Sequence, residues 1–318
     1  MNHISTSKKI IITVIFIAIF YAAFISYSNL EKIVDIYQKM NYLYLIPIIS
    51  IFIFSIFLRS NIQKILLEQI GIKLSIKENM LLFFAGLSMI ITPGGSGQMI
   101  KSYLLKEKYD CPIMKSLPLV FFERFYDLLG ICIVILATLI FIFSIESLVI
   151  VSVLIIILSV LVLIIKNQNF SQKIYSKLKK IKFLSNLLPD DSTFQESMLI
   201  MSNRSTVLKA SISIIFITLL DGVLIYFGFL ALDVDIGYLK SIQIYYTSLL
   251  LGVLSFVPGG VGVMEGSFTF LLSKENLVLP LITSIVIFVR LTTIWLATGL
   301  GVIFSYVFSK KNSENNLE

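Results

Sequence analysis

The chain has a single histidine, His3, in the polar stretch before its first apolar run. One imidazole at that place excludes a Ser–His pair, a zinc site of the H-E-x-x-H type and most histidine-based proton relays. Cysteine is almost as scarce. Cys111 falls in a loop and Cys132 inside an apolar run, which is neither a disulfide framework nor a C-x-x-C metal site, so both are expected to be free thiols. Charge is also sparse, 14% of residues against 57% hydrophobic, with a mean hydropathy of +0.93. A length of 318 residues would suggest about two soluble domains, but at this composition the solvent for most of the chain is lipid, and no room is left for a separate soluble catalytic domain. No metal site and no cofactor are expected.

The formal charge is +7. Nucleic acid is not the expected partner, because the Lys and Arg flank apolar runs, where anionic headgroups and membrane topology account for them. Lys8 and Lys9 followed by an apolar stretch have the outline of a signal peptide. That stretch, Ile10 to Ser28, is nevertheless long enough to span and has no small-x-small site after it, so it is expected to be a retained first helix.

Runs long enough to cross the hydrocarbon are Ile10 to Ser28, Leu43 to Leu58, Leu117 to Phe143, Leu148 to Ile165, Leu208 to Leu232 and Leu279 to Phe308. Met80 to Thr92 and Ile244 to Val257 are too short to cross, and each ends in Pro-Gly-Gly. They are expected to be half-helices of re-entrant hairpins, because irregular backbone is tolerated at membrane depth only where protein or a wet cavity covers it. The expected fold is therefore all-α and polytopic, with about six full transmembrane helices and two re-entrant helical hairpins. Placing both termini in the cytoplasm leaves only Lys32, Lys39, Lys240 and Lys274 outside and Arg124 and Arg290 within apolar runs, with every other Lys and Arg inside. The expected location is the plasma membrane. Between Lys166 and Lys209, Lys173, Lys177, Lys179, Lys180 and Lys182 recur among Ile174, Leu178, Ile181 and Phe183, which suits an amphipathic helix on anionic headgroups or a solvated linker.

An internal repeat organises the chain. Pro93-Gly94-Gly95-Ser96-Gly97-Gln98-Met99 and Pro258-Gly259-Gly260-Val261-Gly262-Val263-Met264 share P-G-G-x-G-x-M, and each is followed at similar spacing by an arginine in an apolar run, Arg124 and Arg290. Under the inferred topology the copies run in opposite directions, the inverted-topology repeat that lets a central site face each side in turn. The expected divisions of this single membrane domain are a first helix (1–42), repeat one (43–143), a connecting helix and basic loop (144–207), repeat two (208–308) and a cytoplasmic tail (309–318).

In each hairpin the proline ends one half-helix, and the glycines allow a tight turn before a second half-helix begins. The donors at that second N-terminus would favour a phosphate or carboxylate near Gly95, Ser96 and Gly97, or near Gly260 and Gly262. The alternative is a pair of structural breaks with no ligand. Glu123, Arg124, Asp127, Asp221, Glu265 and Arg290 lie inside apolar segments, where each charge costs about 2.5–3.5 kcal/mol at a helix centre, so they should face inward and pair. Glu123 and Asp127 share a helix face with Arg124 about 100° away, which would offer a carboxylate pair and a cation to a cavity. The alternative is an ion-pair lock, such as Arg290 with Glu265 or Asp221. Tyr42, Tyr44, Tyr103, Tyr126, Tyr245 and Tyr246 are expected to form an aromatic belt.

Pro93 to Gly97, the stretch F-E-R-F-Y-D-L-L-G from Phe122 to Gly130, V-P-G-G-V-G-V-M-E from Val257 to Glu265, and the Arg290 helix together resemble the flippase-like transmembrane domain of lysylphosphatidylglycerol synthases. The resemblance covers nearly the whole chain and implies a flippase-type fold with lipid-facing clefts. Stand-alone relatives of that domain are linked to translocation of polyprenyl-phosphate sugars or other lipids. It transfers to Glu123, Arg124, Glu265 and Arg290, whereas Gln98 stands where many members carry an acid. The aminoacyl-transferase domain of full-length synthases is missing, so lysine transfer is not expected.

The expected function is movement of an anionic phospholipid or polyprenyl-phosphate-linked sugar, without catalytic residues. Pro93, Gly94, Gly95, Ser96, Gly97, Glu123, Arg124, Asp127, Asp221, Pro258, Gly259, Gly260, Gly262, Glu265 and Arg290 are the expected substrate-binding set. One alternative is a polyprenyl-diphosphate phosphatase, but Gly97 replaces the arginine of that P-G-x-S-R-S motif and Val261 replaces the serine in the second copy. Another is a non-transporting protein that presents lipid to a partner glycosyltransferase or lipid-modifying enzyme.

Overall fold

The computed structural model describes residues 6–166 and 192–315, and every regular element among them is helical. Helix α1 (Thr6–Tyr27) ends at a corner of 88° into α2 (Leu30–Gln38). Asn29 makes that corner at φ 71°, and its side-chain oxygen accepts from the Lys32 amide, so one residue both turns the chain and caps the new helix. Four further helices are long and apolar enough to cross a bilayer: α3 (Leu45–Gln69), α6 (Ile113–Phe141), α7 (Ile145–Lys166) and α9 (Arg204–Ala231). The fifth such segment, Leu279–Ser305, is built from α12 (Leu279–Arg290), a π turn (Leu291–Trp295) and the start of α13 (Leu296–Asn315). Counting the bent α1–α2 pair as one, there are up to six spans, and the chain is a multi-pass membrane protein.

One boundary differs from expectation. The apolar run stops at Leu58, but α3 continues through Arg59 to Gln69, because Ile62, Gln63, Leu66 and Leu67 keep one face buried at helical spacing. Between α7 and α9 only a short α8 (Ser192–Met201) is described. The expected amphipathic helix around Lys173, Lys177, Lys179, Lys180 and Lys182 lies outside the described residues.

Both short apolar segments are arms of hairpins. The first is α4 (Ile76–Leu87), a 3₁₀ turn over Pro93–Met99, and α5 (Ile100–Tyr109); the second is α10 (Tyr238–Leu254), a turn at Pro258–Gly260, and α11 (Val263–Ser273). A capping box starts α4, with Ser75 and Glu78 satisfying each other's backbone amides. An ion pair clamps the base of each hairpin: Lys108 to Glu78 at 3.3 Å, and Lys240 to Glu275 at 2.9 Å.

The hairpins enter from opposite ends of the molecule. The base of the first leads directly into the N-terminal end of α6, a helix about 43 Å long at 1.5 Å per residue. The second is tied to the other end: Gln243 Nε2 donates to the Ile142 carbonyl at 2.9 Å, the Ser147 and Thr247 hydroxyls meet at 2.9 Å, and Lys274 pairs with Glu146. The tips meet between these ends, where the Gly259 amide donates to the Ile91 carbonyl at 2.6 Å. Packing follows the repeat. α3 contacts α4 and α6 as α9 contacts α10 and α12, and α5 lies on α6 as α11 lies on α12. The first arm of each hairpin also packs on the closing helix of the other repeat, α4 on α13 and α10 on α6, so neither half is complete alone.

Candidate functional site

Arg59, Asp127 and Asp221 each lie near the middle of a helix of 25 residues or more. An unpaired charge there would be costly. The described residues at this depth contain four cations and four carboxylates, which sort into three neutral groups.

The first group is sealed. Arg290 donates from Nε to Glu265 Oε1 at 2.8 Å, from one terminal nitrogen to the Gly259 carbonyl and from the other toward Met264 Sδ at 3.1 Å. Tyr21 donates to the same Glu265 oxygen at 2.6 Å, and Glu265 Oε2 accepts the Gly262 amide at 2.7 Å. With side-chain exposures of 2% for Arg290 and 0% for Glu265, this cluster is closed to a ligand. The second group, Lys101 and Glu123, is buried too. Lys101 Nζ reaches both Glu123 oxygens at 2.7 and 2.9 Å, crossing the face of Gly86 and the Phe83 ring on its way. A Cβ at position 86 would stand 2.0 Å from Lys101 Cε, so a larger residue there would push the Lys101 side chain off its path to Glu123.

The third group is open. Asp221 accepts from Arg59 at 2.8 Å and from the Ser55 hydroxyl; Arg59 also pairs with Asp127; Asp127 meets Arg124 at 3.2 Å; and Arg124 donates to Gln98 Oε1 at 2.6 Å. This ladder joins α9, α3, α6 and the first hairpin tip. Its members are 23–33% exposed, against 2% or less for Arg290 and Glu265. Arg124 lies along Gly95, and its Nε has no hydrogen-bond partner among the described residues. Ser96, next to Gly95 in the chain, is exposed. On the other face of α3, an apolar groove of 340 Å³ is lined by Ile53, Phe57, Met80, Phe84 and Leu300.

Several expectations need correction. Glu123 and Asp127 share a helix face, yet each goes to its own cation, so they form no carboxylate pair. Of the two lock partners expected for Arg290, Glu265 is the one it meets. The turn amides are already used: the Gly95 and Gly97 amides donate to the Thr92 carbonyl and hydroxyl, and the Gly260 and Gly262 amides to Val257 and Glu265. At the first tip the Arg124 guanidinium, rather than free backbone donors, is presented; at the second, Arg290 is enclosed. Tyr126, Tyr245 and Tyr246 are buried in the body instead of forming a belt, and Tyr246 donates to the Thr218 carbonyl at 2.6 Å. Arg59, Lys101 and Tyr21 were absent from the expected set. The signal for two of them was arithmetic, because four carboxylates against two arginines in apolar segments demand two more cations nearby.

A family model described as the lysylphosphatidylglycerol synthase TM region matches residues 10–301. The chain is similar to a UPF0104 membrane protein of Methanothermobacter thermautotrophicus, 26% identical over 126 residues, 39% of this chain and 37% of the relative. A further match to a UPF0104 membrane protein of that organism is 33% identical over 104 residues, 31% of each chain. These two matches span about a third of the relatives' length. A UPF0104 membrane protein of Methanocaldococcus jannaschii is 24% identical over 98% of both chains.

Proposed function

The chain belongs to the lysylphosphatidylglycerol synthase TM region family, and on that premise we propose that it moves an anionic lipid, a phospholipid or a polyprenyl-phosphate-linked sugar, across the plasma membrane. The observation that carries this reading is the contrast between two equivalent arginines. Arg290 is enclosed at 2% side-chain exposure, whereas Arg124 is a third exposed at the first hairpin tip, with a buried, unpartnered Nε and Arg59 one carboxylate away. Two guanidinium groups at helix mid-depth suit a phosphate, which they can bind through paired, charge-assisted hydrogen bonds. The apolar groove between α3, α4 and α13 suits an acyl or prenyl chain.

The opposed hairpins support alternating access, in which one repeat rocks against the other around the shared tips. The distribution of Lys and Arg supports an orientation with both termini in the cytoplasm. The role is transport rather than catalysis, because Gly97 stands where a phosphatase of the P-G-x-S-R-S type has its arginine. A glycosyltransferase or lipid-modifying enzyme would supply or consume the cargo.

The test is reconstitution in liposomes with fluorescent phosphatidylglycerol and phosphatidylcholine, following loss of outer-leaflet signal to a membrane-impermeant quencher. The wild type should move the anionic lipid faster than the zwitterionic one, and Arg124→Gln should slow it by about tenfold or more, the loss of one charged hydrogen bond. Equal rates for both lipids and both proteins would refute transport through this site. Phosphate release from an added polyprenyl diphosphate would instead mark a phosphatase, and binding without movement a presenting protein.

A further inference from the structure

The three charge groups at helix mid-depth are each electrically balanced, so an anionic headgroup arriving at the open ladder would add an uncompensated negative charge in a poorly hydrated place. A charge must therefore arrive or leave with it. Asp127 is the group placed to give way. It stands between two guanidinium groups, Arg59 and Arg124, and it is 23% exposed, while Glu123 and Glu265 are enclosed by their own partners. Asp221 contacts one arginine only and is held also by Ser55.

Resting on the proposed lipid reading, we infer that the headgroup binds together with one proton, taken up by the Asp127 carboxylate as the phosphate takes its place between Arg59 and Arg124. The balance is simple: a proton from water neutralises the carboxylate, no bond of the lipid breaks, and the site carries the same net charge before and after. The neighbours are consistent with this assignment. α3 presents Arg59, α5 presents Lys101 already bound to Glu123, and α9 presents Asp221. α10 presents the buried phenols Tyr245 and Tyr246, and α6 itself Arg124 and Tyr126. On α7 and α8 the nearest acids are Glu146, paired with Lys274, and the exposed Glu196.

The experiment is calorimetric titration of the purified full chain with dihexanoyl phosphatidylglycerol, a phosphodiester that keeps its single charge throughout. Runs from about pH 5 to about pH 8, in buffers of different ionisation enthalpy, count the protons taken up. The expected result is about one proton per lipid, with affinity falling by about tenfold per pH unit above the transition. Asp127→Asn should abolish both the uptake and the pH dependence, whereas Asp221→Asn should shift affinity and keep the uptake. Should Asp127→Asn fail to fold, a wild-type count near zero overturns the inference, and uptake that Asp221→Asn keeps but whose pH midpoint Asp127→Glu moves supports it. Binding indifferent to pH overturns the inference and leaves the lipid site standing. So does affinity that follows sodium in place of choline, which would mean that a metal cation brings the compensating charge. Absence of binding at every pH refutes the lipid reading itself.

Discussion

Arg124 and Arg290 follow their hairpins at nearly the same distance, yet their surroundings assign them opposite roles. Arg290 stabilises the fold: leaving Glu265 buried without it costs about 3–5 kcal/mol, so Arg290→Met or Glu265→Leu alone should lower thermal stability sharply in detergent. The double variant Arg290→Met with Glu265→Leu should recover much of that stability, because two apolar side chains leave no orphaned charge. Arg124→Gln should lower the melting temperature less than Arg290→Met, because its ladder is 23–33% exposed while Arg290 and Glu265 are 2% or less, and it should remove lipid binding. A melting temperature that falls equally for Arg124→Gln and Arg290→Met would show that the two arginines are both structural. Residue identity alone made these two arginines look alike; burial separates them.

At the level of helices, the first hairpin is held by polar contacts on one side and by a close backbone approach on the other. Gln63 on α3 bonds the Asn79 side chain at 2.8 Å, and Asn79 bonds back to the Ser60 carbonyl at 2.7 Å, joining α3 to α4. Opposite, Gly301 brings α13 so near the end of α4 that a Cβ would stand 2.3 Å from the Ser88 amide nitrogen. Backbone cannot swing aside as a side chain can, which is the reason small residues mark such contacts in membranes. Gly301→Ala should therefore destabilise the protein by about 1–3 kcal/mol, read as a lower melting temperature. It should also expose the α4 arm to faster hydrogen exchange. Gly299→Ala, two residues away with nothing within 4 Å of the added carbon, should change neither. Equal effects of the two substitutions would show that the approach of α13 to α4 carries no stability.

For the molecule as a whole, the opposed hairpins make a topological statement that labelling can check. In a variant with Cys111 and Cys132 replaced by serine, a cysteine at Glu107, by the base of the first hairpin, should react with an impermeant maleimide only after the cells are opened. A cysteine at Asn276, by the base of the second, should react in intact cells. Labelling of both from the same side would overturn the inverted arrangement.

Much of this architecture was legible in the sequence because the bilayer imposes it one segment at a time. The long apolar runs, the two that stop short at Pro-Gly-Gly, and the P-G-G-x-G-x-M repeat each follow from backbone hydrogen bonding and length within a short window, so spans, hairpins and family could be read without long-range contacts. The partners of the charges could not. Whether Glu123 meets Lys101 or Asp127, whether Gly262's amide is free or taken by Glu265, and whether Arg59 ends a helix or sits in its middle depend on which surfaces α3, α5, α6 and α9 bring together. Electrostatic pairing acts over a few ångströms between residues far apart in the chain, and only the tertiary structure decides those distances.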